Sequence, residues 1–133
     1  MNVTYIHHSC FLVETDRFYY LFDYESGALP VMEAEKPIFV LSSHGHADHY
    51  NPQIFSFLTA AGMRDIRAIL SDDIEAPAKR TVLQVSPGRE YALGNEQKLT
   101  TLRSIVGDMA SGYPDQQEGL WVCVCGRPNL DET

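Results

Sequence analysis

The sequence predicts an α/β fold built on a mixed sheet with flanking helices, and three features predict it. Ile38, Phe39, Val40 and Leu41 form an unbroken apolar run between Pro37 and a polar stretch, the pattern of a strand buried on both faces. Asn51 and Pro52 then open a segment in which Ile54, Phe55, Phe57, Leu58 and Ala61 make an apolar stripe ending at Gly62, which predicts a helix over 52–61. On both sides of this strand and helix, short apolar segments alternate with turn residues, as in a sheet of several strands.

Taken in order, residues 3–6, 10–15 and 18–22 read as strands, the last two joined as a hairpin at Thr15-Asp16-Arg17. His7, His8 and Ser9 fall after the first, either as a turn with two exposed imidazoles or as part of a site. Asp23 closes the third strand, where a lone carboxylate reads as a turn former. Residues 24–35 form a loop whose Tyr24, Leu29 and Met32 either line a pocket or cap the core. Beyond the helix, residues 67–70 read as a strand ending in Ser71-Asp72-Asp73, followed by a short helical segment that the two aspartates cap and a strand over 81–85. Pro87-Gly88 and Gly94-Asn95 are turns around strands at 90–93 and 98–102, and 120–125 has strand character between a loop at 115–119 and a tail at 127–133.

The chain has 133 residues, one domain's worth, and its 44% hydrophobic and 21% charged residues are those of a globular protein without a membrane span. A formal charge of −8 and the lack of any basic run weigh against nucleic acid as a partner, because phosphate contacts need cationic surface. Cys10, Cys123 and Cys125 are an odd count at spacings unlike a disulfide framework, and the N-terminus lacks the basic and apolar regions of a signal peptide. A reducing, cytoplasmic setting is the expectation. Cys123 and Cys125 read as buried apolar residues rather than ligands.

The chemistry is concentrated just after the buried strand. His44 and His46 lie two apart, so both imidazoles can project to one side, and Gly45 between them adds no side chain and permits unusual backbone angles. Asp48 and His49 follow at once and offer a carboxylate and an imidazole to an adjacent position, an arrangement that suits one metal ion or two. The alternative is a loop of solvated histidines. Three histidines and an aspartate within six residues at a buried strand's end favour the metal.

The run Ser43-His44-Gly45-His46-Ala47-Asp48-His49 resembles the HxHxDH signature of the metallo-β-lactamase fold hydrolases. The resemblance implies an αββα sandwich, of which this chain carries the N-terminal half over 1–104, followed by a divergent tail over 105–133. It implies that His44 and His46 bind one zinc ion, and Asp48 and His49 a second, with manganese or iron possible in the same ligands. Asp48 is then the catalytic candidate that steers a metal-activated water onto an ester, lactone or phosphate-bearing small molecule. His8-Ser9 match a segment beside the active site in a lactonase-like branch of these proteins, with His7 in place of a glycine, and the run from Ala68 to Ile74 resembles that branch too. Asp23 resembles the strand-end aspartate that orients the ligating histidines. Ile105-Val106-Gly107-Asp108 resembles the segment carrying a bridging aspartate, which makes Asp108 a further candidate ligand.

The resemblance also implies a further ligating histidine, and the sequence has none after His49. A domain of this kind runs to roughly 200 residues. The expectation is therefore a shortened member whose bare sheet face is buried in a homodimer or larger homo-oligomer. Two functional readings follow, an active hydrolase and a catalytically incompetent remnant that binds metal weakly or not at all.

Overall fold

The computed structural model describes residues 1–94, 97–106 and 117–125, with side-chain surroundings given through residue 102. Its elements are β1 (Asn2–His7), β2 (Cys10–Glu14), β3 (Tyr19–Phe22), β4 (Ile38–Ser42), α1 (Ile54–Ala60), β5 (Ile66–Ser71), β6 (Val82–Val85), β7 (Glu90–Gly94), β8 (Gln97–Val106) and β9 (Gln117–Cys125). Two sheets result, one ordered β1-β2-β3-β4-β5-β6 and one ordered β7-β8-β9. The chain divides into two compact units between Gln84 and Val85.

In the first unit the sheet is mixed. β1, β2 and β3 pair antiparallel through a meander, whereas β3, β4 and β5 run parallel. Parallel strands need both faces covered, and every residue of β4 is buried. One face carries the core built from Leu21, Ile38, Val40 and Leu70 against Ile54 and Leu58 of α1. On the other, Tyr20 stacks on Phe39 with ring centroids 5.4 Å apart and planes 8° off parallel. The Arg67 guanidinium lies 5.6 Å from the Phe39 ring centre and 5.8 Å from that of Phe18, a cation–π arrangement that also shields these rings from water. Asp65 holds that guanidinium by two bonds of 3.0 and 2.8 Å.

The loop after β3 caps the core. Tyr24 is part of it, Leu29 and Met32 pack against it, and the Tyr24 hydroxyl donates to the Gly27 carbonyl at 2.8 Å. α1 starts two residues later than the sequence predicts. Asn51 does not cap the helix, whose N-cap is Gln53 without a side-chain cap bond; instead Asn51 Oδ1 accepts from Gln53 N at 2.9 Å and its carbonyl from Ile54 N at 3.0 Å, so that Pro52 and Gln53 form a turn ahead of α1. Ile54, Phe55 and Leu58 are buried as expected, while Phe57 is 44% exposed and meets Tyr24 edge-on. No helix forms after Asp73, contrary to expectation. Ile74 N closes a single turn onto the Ser71 carbonyl, and Pro77 lacks the donor a second turn would need. Among the described residues α1 is the one α-helix, so the flanking layer is thinner than predicted. No helix there is long and apolar enough to cross a membrane.

In the second unit, β7, β8 and β9 form an antiparallel meander. Thr101, fully buried, ties it to the preceding turn, donating from Oγ1 to the Ser86 carbonyl at 2.6 Å and accepting from Arg89 N at 3.1 Å. β8 and β9 are longer than the sequence predicts, so position 104 lies within β8. Cys123 pairs with Thr100 and Cys125 with Lys98 along the backbone ladder. Asp108 lies outside the described residues.

Cys10, at the start of β2, is fully buried, and burial together with the nearby Asp23 carboxylate pushes its thiol up to about 12. A thiolate is the reactive form. Iodoacetamide at pH 8 is therefore expected to leave the Cys10 peptide unmodified in native protein and to alkylate it in denaturant, as read by peptide mass mapping. Equal labelling in both would contradict this burial.

Candidate metal centre

Because β3, β4 and β5 are parallel, their carboxyl ends meet at one edge of the sheet, where open α/β sheets carry their sites. Asp23 follows β3, Ser43 and His44 follow β4, and Ser71 ends β5 with Asp73 just beyond. Asp23 turns out of its strand at φ +50, a conformation that aspartate tolerates better than most residues, while its N–H stays in the ladder with the Leu41 carbonyl at 2.8 Å.

That turn aims the carboxylate across the end of β4, where it gathers three donors. Ser43 N donates to Asp23 Oδ1 at 2.7 Å, and Ser43 Oγ donates to Oδ2 at 2.8 Å. His49 Nδ1 lies 3.0 Å from the same Oδ2 and, facing a carboxylate, carries the proton of that bond. With its only proton directed at Asp23, Ser43 Oγ accepts from His44 Nδ1 at 2.9 Å. Both imidazoles thus direct Nδ1 into this network, and in the neutral ring with its proton there Nε2 is the atom left for a ligand.

The surroundings of these two Nε2 atoms fit a cation. His44 is 2% exposed and its Nε2 is buried without a hydrogen-bond partner, a costly state for a polar atom that a ligand relieves. Burial, then the neighbouring His49 and His46 rings, hold the His44 imidazole below its usual range and so in the neutral, ligating form. His49 Nε2 faces Asp48 Oδ2 at 3.5 Å, two acceptors that a positive charge between them would reconcile. The rings of His46 and His49 lie 4.6 and 4.0 Å from that of His44, centre to centre. His46 and Asp48 are exposed. The donor atoms of the signature do not close into a trio within 4.8 Å, so they approach one centre without being fully drawn in.

Asp73 braces the loop from the β5 side, accepting Gly45 N at 2.9 Å on Oδ2 and the Ser71 hydroxyl on Oδ1. The expected helix cap is replaced by this role. Gly45 is needed for close approach rather than for a positive φ, since a Cβ there would stand 3.3 Å from Asp73 Oδ2. A cleft of about 450 Å³ opens beside the loop, lined by Gly45, Tyr50, Asp73, Ile74 and Pro77 among others, with the buried Tyr50 hydroxyl lacking a partner. His8 lies beside His7 and Glu25.

Sequence reasoning assembled His44, His46, Asp48, His49 and Asp23 on one loop and one strand end, and all five sit at this sheet edge. It missed Asp73, whose neighbour Ser71 and position after a buried strand were the available signals, and Tyr50, which nothing in the spacing marked.

Residues 2–124 match the family described as Beta-lactamase superfamily domain, a stretch that continues past Ser104 through most of β9. No curated protein and no solved structure matches the chain. The match spans nearly the whole sequence, and the chain belongs to the beta-lactamase superfamily, with the mixed-sheet α/β fold described above.

Proposed function

We propose that this chain is a metal-dependent hydrolase acting on an ester, lactone or phosphate-bearing small molecule. His44, His46, Asp48 and His49 are the residues that would hold zinc, or manganese or iron in the same place. Such an ion, when bound, polarises a carbonyl or phosphoryl group and lowers the pKa of a nucleophilic water. The observation that supports this reading is the Asp23 network, which engages two neighbouring imidazoles through Nδ1 and leaves their Nε2 atoms for a ligand. Asp48, an exposed carboxylate beside His49, would accept a proton from an attacking water. The adjoining cleft has the size of a small-molecule site.

A second reading, a catalytically incompetent remnant, draws on the signature donors' not closing into a trio within 4.8 Å. One experiment separates the two. Protein reconstituted with zinc, manganese or ferrous ion is assayed against aryl esters, lactones and phosphoesters, with Asp48→Asn alongside. Turnover that falls by about 10²-fold or more in the variant supports the hydrolase. Bound metal without turnover on any substrate class selects the remnant.

A further inference from the structure

A second set of metal-ligating side chains stands at the opening between β1 and the loop after β3. Nδ1 of His7 lies 3.2 Å from Glu25 Oε1, and Nε2 of His8 lies 3.9 Å from the same oxygen. Donor atoms of the three residues all fall within 4.8 Å of one another, the one such trio among the described residues. The two imidazole rings are 4.0 Å apart, centre to centre, and inclined at 59°, which turns both toward the carboxylate without stacking them face to face.

The backbone holds this arrangement from several sides. The β1–β2 ladder slips by one residue between Tyr5 and His7, and such a bulge re-aims the side chains that follow it. His8 then takes φ +49, a left-handed conformation that costs energy for a residue with a Cβ and that sets the direction of its ring. Across from it, Gly27 at φ +112 lets the loop after β3 press against β1. A Cβ there would stand 2.9 Å from Ile6 Cγ2 and 3.2 Å from His7 Cβ. The Glu25 carbonyl accepts from Asn51 Nδ2 at 2.9 Å, which anchors the loop to the segment leading into α1. Ser26 Oγ donates to Glu25 Oε1 at 2.6 Å and lies 3.1 Å from His7 Nδ1.

From this geometry we propose that His7, His8 and Glu25 form a second, separate binding site for a divalent transition-metal ion, of the zinc class. Two imidazoles and a carboxylate are the ligand chemistry that zinc and its neighbours prefer over magnesium or calcium, and three protein ligands leave a position for water. The Ser26 hydroxyl donates to the Glu25 carboxylate and holds it facing the rings. In the metal-free protein the His7 Nδ1 proton bridges to Glu25 and Ser26, and an ion takes that proton's place. Side chains of His7 and His8 are 48% and 58% exposed, so the site loads directly from solution.

The site uses none of the signature residues, so its test is independent of the proposed hydrolase. Zinc binding is measured by equilibrium dialysis with elemental analysis on the whole chain carrying His46→Ala and Asp48→Asn, both exposed positions. This protein is expected to retain a zinc ion, and adding His7→Ala and Glu25→Gln is expected to abolish that retention while leaving the thermal melt unchanged. In parallel, zinc titrated into the wild type should shift the His7 and His8 ring resonances together in histidine-selective NMR. Zinc retention that is indifferent to His7→Ala and Glu25→Gln, or the absence of any shift at His7 and His8, would overturn the proposal. Loss of zinc with the signature substitutions alone would likewise overturn it, while leaving the signature centre standing.

Discussion

An Asp23→Ala protein is expected to bind metal at the signature loop about 10–100-fold more weakly than wild type, the range seen when a residue that orients a ligating histidine is removed. Three groups lose their acceptor at once, Ser43 N, Ser43 Oγ and His49 Nδ1. His49 is then free to carry its proton on either nitrogen. Ser43, no longer committed to Asp23, can donate to His44 Nδ1 and drive the His44 proton onto Nε2, where it blocks the lone pair. The unpaired Ser43 N–H adds a folding penalty of about 1–3 kcal/mol. Asp23→Asn separates geometry from charge, because the amide keeps one acceptor oxygen but turns an NH₂ toward a donor. It should fall between wild type and alanine. Competition against a chromophoric chelator gives the affinities, and equal affinity in all three proteins would mean that Asp23 does not set the imidazole tautomers.

Leu58→Ala is expected to destabilise the fold by about 2–5 kcal/mol, read as a lower midpoint in urea at unchanged slope. Leu58 is fully buried and lies on the face of α1 that covers the sheet. A helix of seven residues has almost no stability of its own, so its existence depends on this docking. The consequence extends to the site, since α1 follows directly on the loop that carries His49 and Asn51. A loss below about 1 kcal/mol would show that the core there collapses around the cavity.

Much of the parallel heart of the first unit was legible because its signals are local. Four apolar residues in a row announce β4, and the histidines after them announce the loop. The helix was found by its stripe and misplaced at its start, because Asn51 and Pro52 fit a helix entry and a preceding turn equally well. A capped helix after Asp73 was expected from two aspartates, but the carboxylate of Asp73 is taken by Gly45 N and Ser71 across the sheet edge, and spacing along the chain does not reveal such a partner. His8 was noticed and Glu25 was not. The two meet only because the loop after β3 folds back onto β1, and His7 and Glu25 are 18 residues apart. Asp23 was ambiguous as a turn former or an orienting carboxylate, and the structure makes it both, its positive φ being what turns the carboxylate toward Ser43 and His49.

On the proposed reading, the loop after β4 holds a metal ion through imidazoles oriented by Asp23. The most direct test counts zinc per chain, after dialysis, in protein carrying His7→Ala and Glu25→Gln, so that the second cluster contributes nothing, and again with His46→Ala added. Near-stoichiometric zinc is expected in the first protein and its loss in the second. Zinc absent from the first protein, or equally retained by both, would contradict it.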